Sequence, residues 1–238
     1  MITSKKSPPK KTNLKTRVIA IDGPAGAGKS TVAKLLAKRL GFLYLDTGAM
    51  YRAATLAAIK KKVNFSDTAK LIKIASKSKI DLKNISGNLN VYLNEKIVNR
   101  SIRRPQVNSL VSSIAPIREI REIMVKKQRK IGQRQNCVME GRDIGTVVFP
   151  DAFIKFYLDA SLSERARRRC DELKEKNIAN SPLKEVELSI KERDKNDLTR
   201  RFGPLKKAKD AIYVDTTNLT ISEVVRKLLT EIQKRLNG

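Results

Sequence analysis

The octapeptide Gly23-Pro24-Ala25-Gly26-Ala27-Gly28-Lys29-Ser30 stands directly after a short apolar run, Val18-Ile19-Ala20-Ile21. It leads, through Thr31, into a segment with Val32, Leu35, Leu36 and Leu40 at helical spacing. A buried strand, a glycine-rich turn of the form Gly-x4-Gly-Lys-Ser and a helix form the context in which this pattern binds a nucleoside triphosphate. Backbone N–H groups freed by the glycines turn inward around phosphate, and the helix N-terminus adds a favourable dipole. In this reading residues Gly23, Pro24, Ala25, Gly26, Ala27, Gly28, Lys29, Ser30 and Thr31 cradle ATP. Lys29 neutralises the outer phosphates, and the Ser30 hydroxyl is the expected ligand of the Mg²⁺ that accompanies ATP.

The remainder of the chain continues the alternation that such a start demands. Phe42 to Leu45 reads as a second strand, Thr47 to Ile59 as a second helix, Cys137 to Met139 and Phe153 to Leu158 as further strands, and Ala211 to Val214 as the last. Helical patterns fill Gln106 to Ala115, Ile117 to Lys130, Ser161 to Lys176 and Ile221 to Leu236, with a polar, mostly helical stretch from Asn177 to Arg201. Five buried strands with crossover helices predict an α/β fold, a parallel sheet covered on both faces. From about Asn64 to Arg104 the rhythm changes. Ile80 and Leu82, then Leu89, Val91 and Leu93, then Ile97 alternate at strand period between turn signals at Gly87-Asn88 and Asn94-Glu95, predicting a small antiparallel insertion. Residues 1–16 lack any apolar period and read as a flexible basic arm, leaving 17–238 as a single domain.

Charge narrows the partners. With 51 Lys and Arg against 24 Asp and Glu, the chain carries +27, which favours anionic ligands without choosing among nucleotides, nucleic acid and acidic lipid. Runs such as Lys60 to Lys62 also read simply as solvated faces. No histidine is present, so imidazole chemistry is excluded. Cys137 and Cys170 have neither metal-ligand nor disulfide spacing and read as buried thiols. No apolar run approaches a membrane span, and the polar N-terminus lacks the core of a signal peptide, so a cytoplasmic protein without membrane attachment is expected. The guanine-reading tetrapeptide Asn-Lys-x-Asp is absent from the sequence, which argues against a GTPase.

A phosphoryl acceptor that is itself anionic needs a second set of cations facing the first loop. Asp46-Thr47-Gly48-Ala49-Met50-Tyr51-Arg52 and Gly141-Arg142-Asp143 both fall at the carboxyl edge of predicted strands, where ligands gather in open α/β sheets. Thr47 could equally be a helix cap and Asp143 a turn residue.

These segments, with Ile144 through Asp151, Lys191-Glu192-Arg193-Asp194, Asp197, Arg200, Pro204-Leu205 and Asp210-Ala211, resemble the bacterial cytidylate kinases from about Arg17 to the C-terminus. The resemblance implies a three-layer P-loop core like that of adenylate kinase, covering about 17–62, 116–162 and 202–238. It also implies a nucleotide-monophosphate insertion at about 63–115 and a mobile helical lid at about 163–201. It implies an acceptor-phosphate clamp of Arg52, Arg121 and Arg142, a cytosine-reading pair Thr47 and Asp143, base or sugar contacts from Ser112, Arg193 and Asp197, and Tyr51 as a further CMP-binding residue. Ser113, next to Ser112, lies on another helical face. Arg165, Arg168 and Arg169, with Arg200, are expected to swing onto ATP, although the first three also fit a solvated charged helix. Lys29, Arg142 and Arg193 are the expected catalytic set.

The implied reaction is in-line transfer of the γ-phosphoryl of Mg·ATP to the 5′-phosphate of CMP or dCMP, which requires no protein base because the acceptor is already anionic. A kinase for UMP, AMP or another small metabolite is the nearest alternative. A nucleic-acid-binding ATPase is supported by charge but lacks stacking motifs or a recognition helix, so nucleic acid is not an expected partner. A monomer is the family expectation.

Overall fold

The computed structural model describes residues 16–85, 88–175 and 182–237. The expected N-terminal arm through residue 15 and parts of the Gly87-Asn88 turn and the 177–201 stretch lie outside them.

The first strand, β1 (Val18–Asp22), is buried at every position. Its period of two sends Val18 and Ala20 into one apolar cluster and Ile19 and Ile21 into another. A strand that is apolar on both faces must be covered on both, and the following elements do so. Helix α1 (Lys29–Leu40) starts from Gly28 and stops at Gly41, both in the left-handed region. Strand β2 (Leu43–Asp46) feeds α2 (Thr47–Lys60), and α3 (Thr68–Lys77) precedes an antiparallel trio, β3 (Ile80–Ile85), β4 (Asn88–Leu93) and β5 (Lys96–Ile97). Then come α4 (Pro105–Ile114), α5 (Arg118–Gly132), β6 (Cys137–Gly141), β7 (Ile154–Asp159), α6 (Leu162–Glu175), α7 (Leu183–Thr199), β8 (Ile212–Asp215) and α8 (Ile221–Asn237). The main sheet runs β2-β6-β1-β7-β8 with every neighbouring pair parallel. Helices α1 and α8 cover one face; α2 and α5 cover the other.

The insertion is not a separate core. Ile80, Leu82, Val91 and Leu93 are buried in the same cluster as Ala53 and Leu56 of α2, so the small sheet is seated on that helix. Asn94 and Glu95, which join β4 to β5, both have positive φ (48° and 69°), as a tight hairpin turn of two residues requires. Helix α3 was not expected. The Asp67 carboxylate caps it by accepting from the Lys70 N–H, and Leu71 and Ala75, one turn apart, are its buried residues. Ile72 and Ile74 pack against the same cluster while partly exposed, and the four stand among lysines within a stretch read at strand period. A second correction concerns the start of α2. Asp46, not Thr47, caps it, its carboxylate accepting from the Ala49 N–H at 2.9 Å. That leaves the Thr47 hydroxyl for other work.

Helices α6 and α7 form a hairpin with its own small core of Ala166, Cys170, Val186 and Ile190. Cys137 and Cys170 are both buried, and neither is in a disulfide among the described residues. Among the described residues no helix is long and apolar enough to cross a membrane.

Candidate active site

The carboxyl ends of β1, β2 and β6 open into a single cleft of about 2460 Å³. A single small-ligand pocket is roughly 300–1,000 Å³, so this cleft has room for two nucleotides. Its floor is the loop between β1 and α1. Gly23 (φ 149°) could carry no side chain, since a Cβ would lie 1.9 Å from the Leu158 carbonyl oxygen. Lys29 is buried and its ammonium donates to the Pro24 carbonyl at 2.5 Å. Burial, then the nearby Arg142, pulls its pKa well below the ordinary lysine range. An anion in the loop would restore the charge.

Beside Ser30 of this loop stands an unforeseen acid. The Ser30 hydroxyl donates to Glu140 Oε2 at 2.9 Å, and the Tyr44 hydroxyl donates to Oε1 at 2.5 Å. Glu140 is buried, and burial followed by the charge of Asp46 pushes its pKa up. Its position was legible only as one acid at the end of the apolar run Cys137-Val138-Met139, next to the strand that carries the glycine loop. Asp22, at the end of β1, was equally unmarked. Its carboxylate accepts from the Ile144 and Gly145 N–H groups at 2.8 and 2.7 Å, fixing the turn that follows Arg142 and Asp143. Burial raises its pKa to about 6.

Opposite the loop, arginines gather. Arg52 donates to Asp46 at 2.6 Å. Arg121, 2% exposed, pairs with Asp143 and donates to the Ala115 carbonyl at 3.1 Å, its guanidinium 5.3 Å from the Tyr51 ring centroid. Arg142 donates to Asp197 Oδ2 at 2.8 Å and Arg200 to Oδ1 at 3.1 Å. Arg193 is pulled down to about 10, by burial first and then by Arg142. In this quarter Arg52, Arg121, Arg142, Arg193 and Arg200 outnumber Asp46, Asp143 and Asp197. Three buried guanidinium nitrogens, Arg52 Nε, Arg121 Nε and Arg200 Nη2, have no hydrogen-bond partner among the described residues. Buried donors rarely remain unmet, and arginines from α2, α5 and the end of α7 lining one cleft suit an anionic ligand.

The other expected residues distribute as follows. The Thr47 hydroxyl donates to the Glu140 carbonyl at 2.7 Å. Ser112 lines the cleft beside Asn108 and Ser109. Arg200 sits with Asp143, Asp197 and Arg121 rather than with the α6 arginines, away from the ATP-side group in which it was expected. Arg165 is not a free swinging group. It is buried and donates to the carbonyls of Ala160 and Ala25, each at 3.0 Å, while pairing with Asp194. Arg168 ties α6 to the loop after β8, donating to the Thr216 hydroxyl and carbonyl at 3.0 and 2.6 Å. Arg169 pairs with Glu172 along its own helix at 2.6 Å.

Known proteins of this kind are extensive matches. The family model for cytidylate kinase covers residues 19–234. A cytidylate kinase of Caldanaerobacter subterraneus subsp. tengcongensis is 51% identical over 220 residues, 92% of this chain and 96% of that protein. One from Lactobacillus johnsonii is 49% identical over 217 residues, 91% and 94% of the two chains. Among solved structures, an uncharacterized protein from Eubacterium ventriosum aligns over 92% of this chain and 99% of its own with a TM-score of 0.51 at 14% identity, a likeness of fold alone.

Proposed function

This chain belongs to the cytidylate kinase family, and we propose that the cleft between the glycine loop and the arginine cluster carries out the family's reaction with a definite division of labour. The reaction is ATP-dependent phosphorylation of CMP and dCMP. The observation that carries the assignment is the set of arginines, Arg52, Arg121, Arg142, Arg193 and Arg200, lining the same cleft as the phosphate-binding loop.

The loop of residues 23–31 holds the ATP phosphates through Lys29 and its available backbone N–H groups, Pro24 having none and that of Ala25 being held by Asp194. Ser30 with Glu140 presents the hard oxygen donors that suit Mg²⁺, and the bound ion supplies charge neutralisation at the phosphates. Arg168, fixed to Thr216, and Arg169 line the ATP side. On the acceptor side Arg52, Arg142 and Arg193 hold the phosphate of the acceptor. Thr47 and Asp143 read the cytosine edge, the carboxylate suiting an exocyclic amine donor, and Arg121 adds a donor beside it. Asp197, already oriented by Arg142 and Arg200, accepts from ribose hydroxyls. Tyr51 and Ser112 complete the wall.

Lys29, Arg142 and Arg193 surround the travelling phosphoryl group, so catalysis rests on positioning and charge complementarity, with no protein base. The insertion at about 63–115 carries the acceptor side. The segment at about 163–201 acts as a lid that excludes water, and the protein works as a cytoplasmic monomer. The test is ADP release from Mg·ATP with CMP, dCMP, UMP, AMP, GMP and RNA offered separately. Turnover with CMP and dCMP far above the rest is expected; turnover with RNA alone, or slow hydrolysis alone, would sink the reading.

A further inference from the structure

Both backbone polar groups of Ala25, in the middle of the glycine loop, are gripped by one buried ion pair. Its N–H donates to Asp194 Oδ1 at 3.1 Å, and its carbonyl accepts from Arg165 Nη1 at 3.0 Å. Arg165 and Asp194 pair with each other, their side chains only 10% and 12% exposed. One partner comes from α6 and the other from α7, so the helical hairpin is bolted to the donor loop. The approach is close enough that a Cβ on neighbouring Gly26 would lie 2.9 Å from the Arg165 Cβ and its carbonyl oxygen.

The same helix is tied at its next turn to the acceptor side. Asp197, three residues beyond Asp194 and so on the same face, holds Arg142 at 2.8 Å. Arg193 immediately precedes Asp194. Helix α7 therefore spans the cleft, anchored to the donor loop through Asp194 and to the acceptor arginines through Asp197. We propose that Asp194 is a positioning residue for phosphoryl transfer: through Arg165 and the Ala25 peptide it sets the register between the ATP-holding loop and the acceptor-holding side chains of α7. Asp194 touches neither nucleotide in this account, which rests on the functional reading above. A displacement of about 1 Å between two reacting groups costs on the order of 100-fold in rate, so a small slip of α7 against the loop is enough to matter.

Asp194→Ala removes both the acceptor of the Ala25 N–H and the carboxylate paired with Arg165, whereas Asp194→Asn keeps an acceptor for the Ala25 N–H and loses only the charge. Turnover with CMP should fall on the order of 100-fold in the alanine variant and recover about tenfold of that loss in the asparagine variant. Dissociation constants of ATP and of CMP, measured singly by calorimetry, should change by less than about threefold. ATP hydrolysis without acceptor should persist, so the ratio of hydrolysis to transfer rises. If turnover is unchanged, or falls only in proportion to lost folded protein and lost nucleotide binding, Asp194 is merely structural and the proposal fails. Where the alanine variant does not fold, the ratio in Asp194→Asn and in Arg165→Lys decides, and an unchanged ratio in both overturns it. Wild-type turnover with CMP, run alongside, tests the functional reading separately.

Discussion

Arg121 and Asp143, one on α5 and the other in the turn after β6, form an ion pair in which neither side chain exceeds 7% exposure. Arg200 approaches the same carboxylate at 4.0 Å. Two cations thus share one buried anion in the wall of the cleft. Each guanidinium keeps a nitrogen unmet.

Removing the shared anion exposes what it offsets. Asp143→Ala leaves Arg121 and Arg200 buried and mutually repelling, and breaking such a pair from one side costs about 3 kcal/mol or more. Urea unfolding of the variant should show that loss, with CMP affinity falling too. A variant as stable as the parent would mean that the arginines relax into solvent.

Arg142 tests the chemistry rather than the scaffold. Its ion pair with Asp197 is about four-fifths shielded, and in the proposed assignment its remaining donors meet the acceptor phosphate. Arg142→Ala should lower kcat/KM for CMP by an amount equivalent to about 2–4 kcal/mol, while ATP affinity changes little. A small effect on CMP turnover would take Arg142 out of the reaction.

The parallel sheet was readable because apolar runs and their crossover helices carry local signals, and the glycine loop is a local motif as well. What escaped depends on partners far apart in sequence. Nothing near Arg165 announces that its guanidinium closes on the Ala25 peptide, 140 residues away; the family resemblance implied a group swinging onto ATP, and charge patterning a solvated helix. Arg200 was expected on the ATP side from the family resemblance, whereas Asp143 and Asp197 decide where it sits. Glu140 looked like the polar end of a strand until folding set Ser30 and Tyr44 against its carboxylate. Helix α3 escaped for a different reason, since its apolar residues stand among lysines within a stretch read at strand period.

Gly26 measures how tightly the hairpin of α6 and α7 sits on the loop. Its φ of +79° disfavours any side chain, and a Cβ there would press on the Arg165 backbone. Gly26→Ala should therefore destabilise the fold by about 2 kcal/mol, read as a lower midpoint of thermal unfolding, and weaken ATP binding. An unaltered midpoint would show that α6 gives way without cost.

Asp22 supplies the pH dependence. Its carboxyl is buried under the turn it holds, and burial lifts its pKa from the ordinary 3.8 to about 6 despite the two N–H donors and Lys29. The folded state therefore holds this proton more tightly than the unfolded chain. Its contribution to stability is fully present below 3.8 and is lost as the pH climbs to about 6. The shift corresponds to about 3 kcal/mol at most. Other carboxylates, such as Glu164 held near 2 by Arg167, push stability the opposite way, so the wild-type curve alone does not isolate Asp22. Asp22→Asn cannot titrate. The difference in unfolding free energy between wild type and this variant, from urea titrations at stepped pH, should shrink by about 2–3 kcal/mol across that window and stay level above it. A difference that is flat throughout would mean that Asp22 is already ionised at the acid end, with the Ile144 and Gly145 donors outweighing burial.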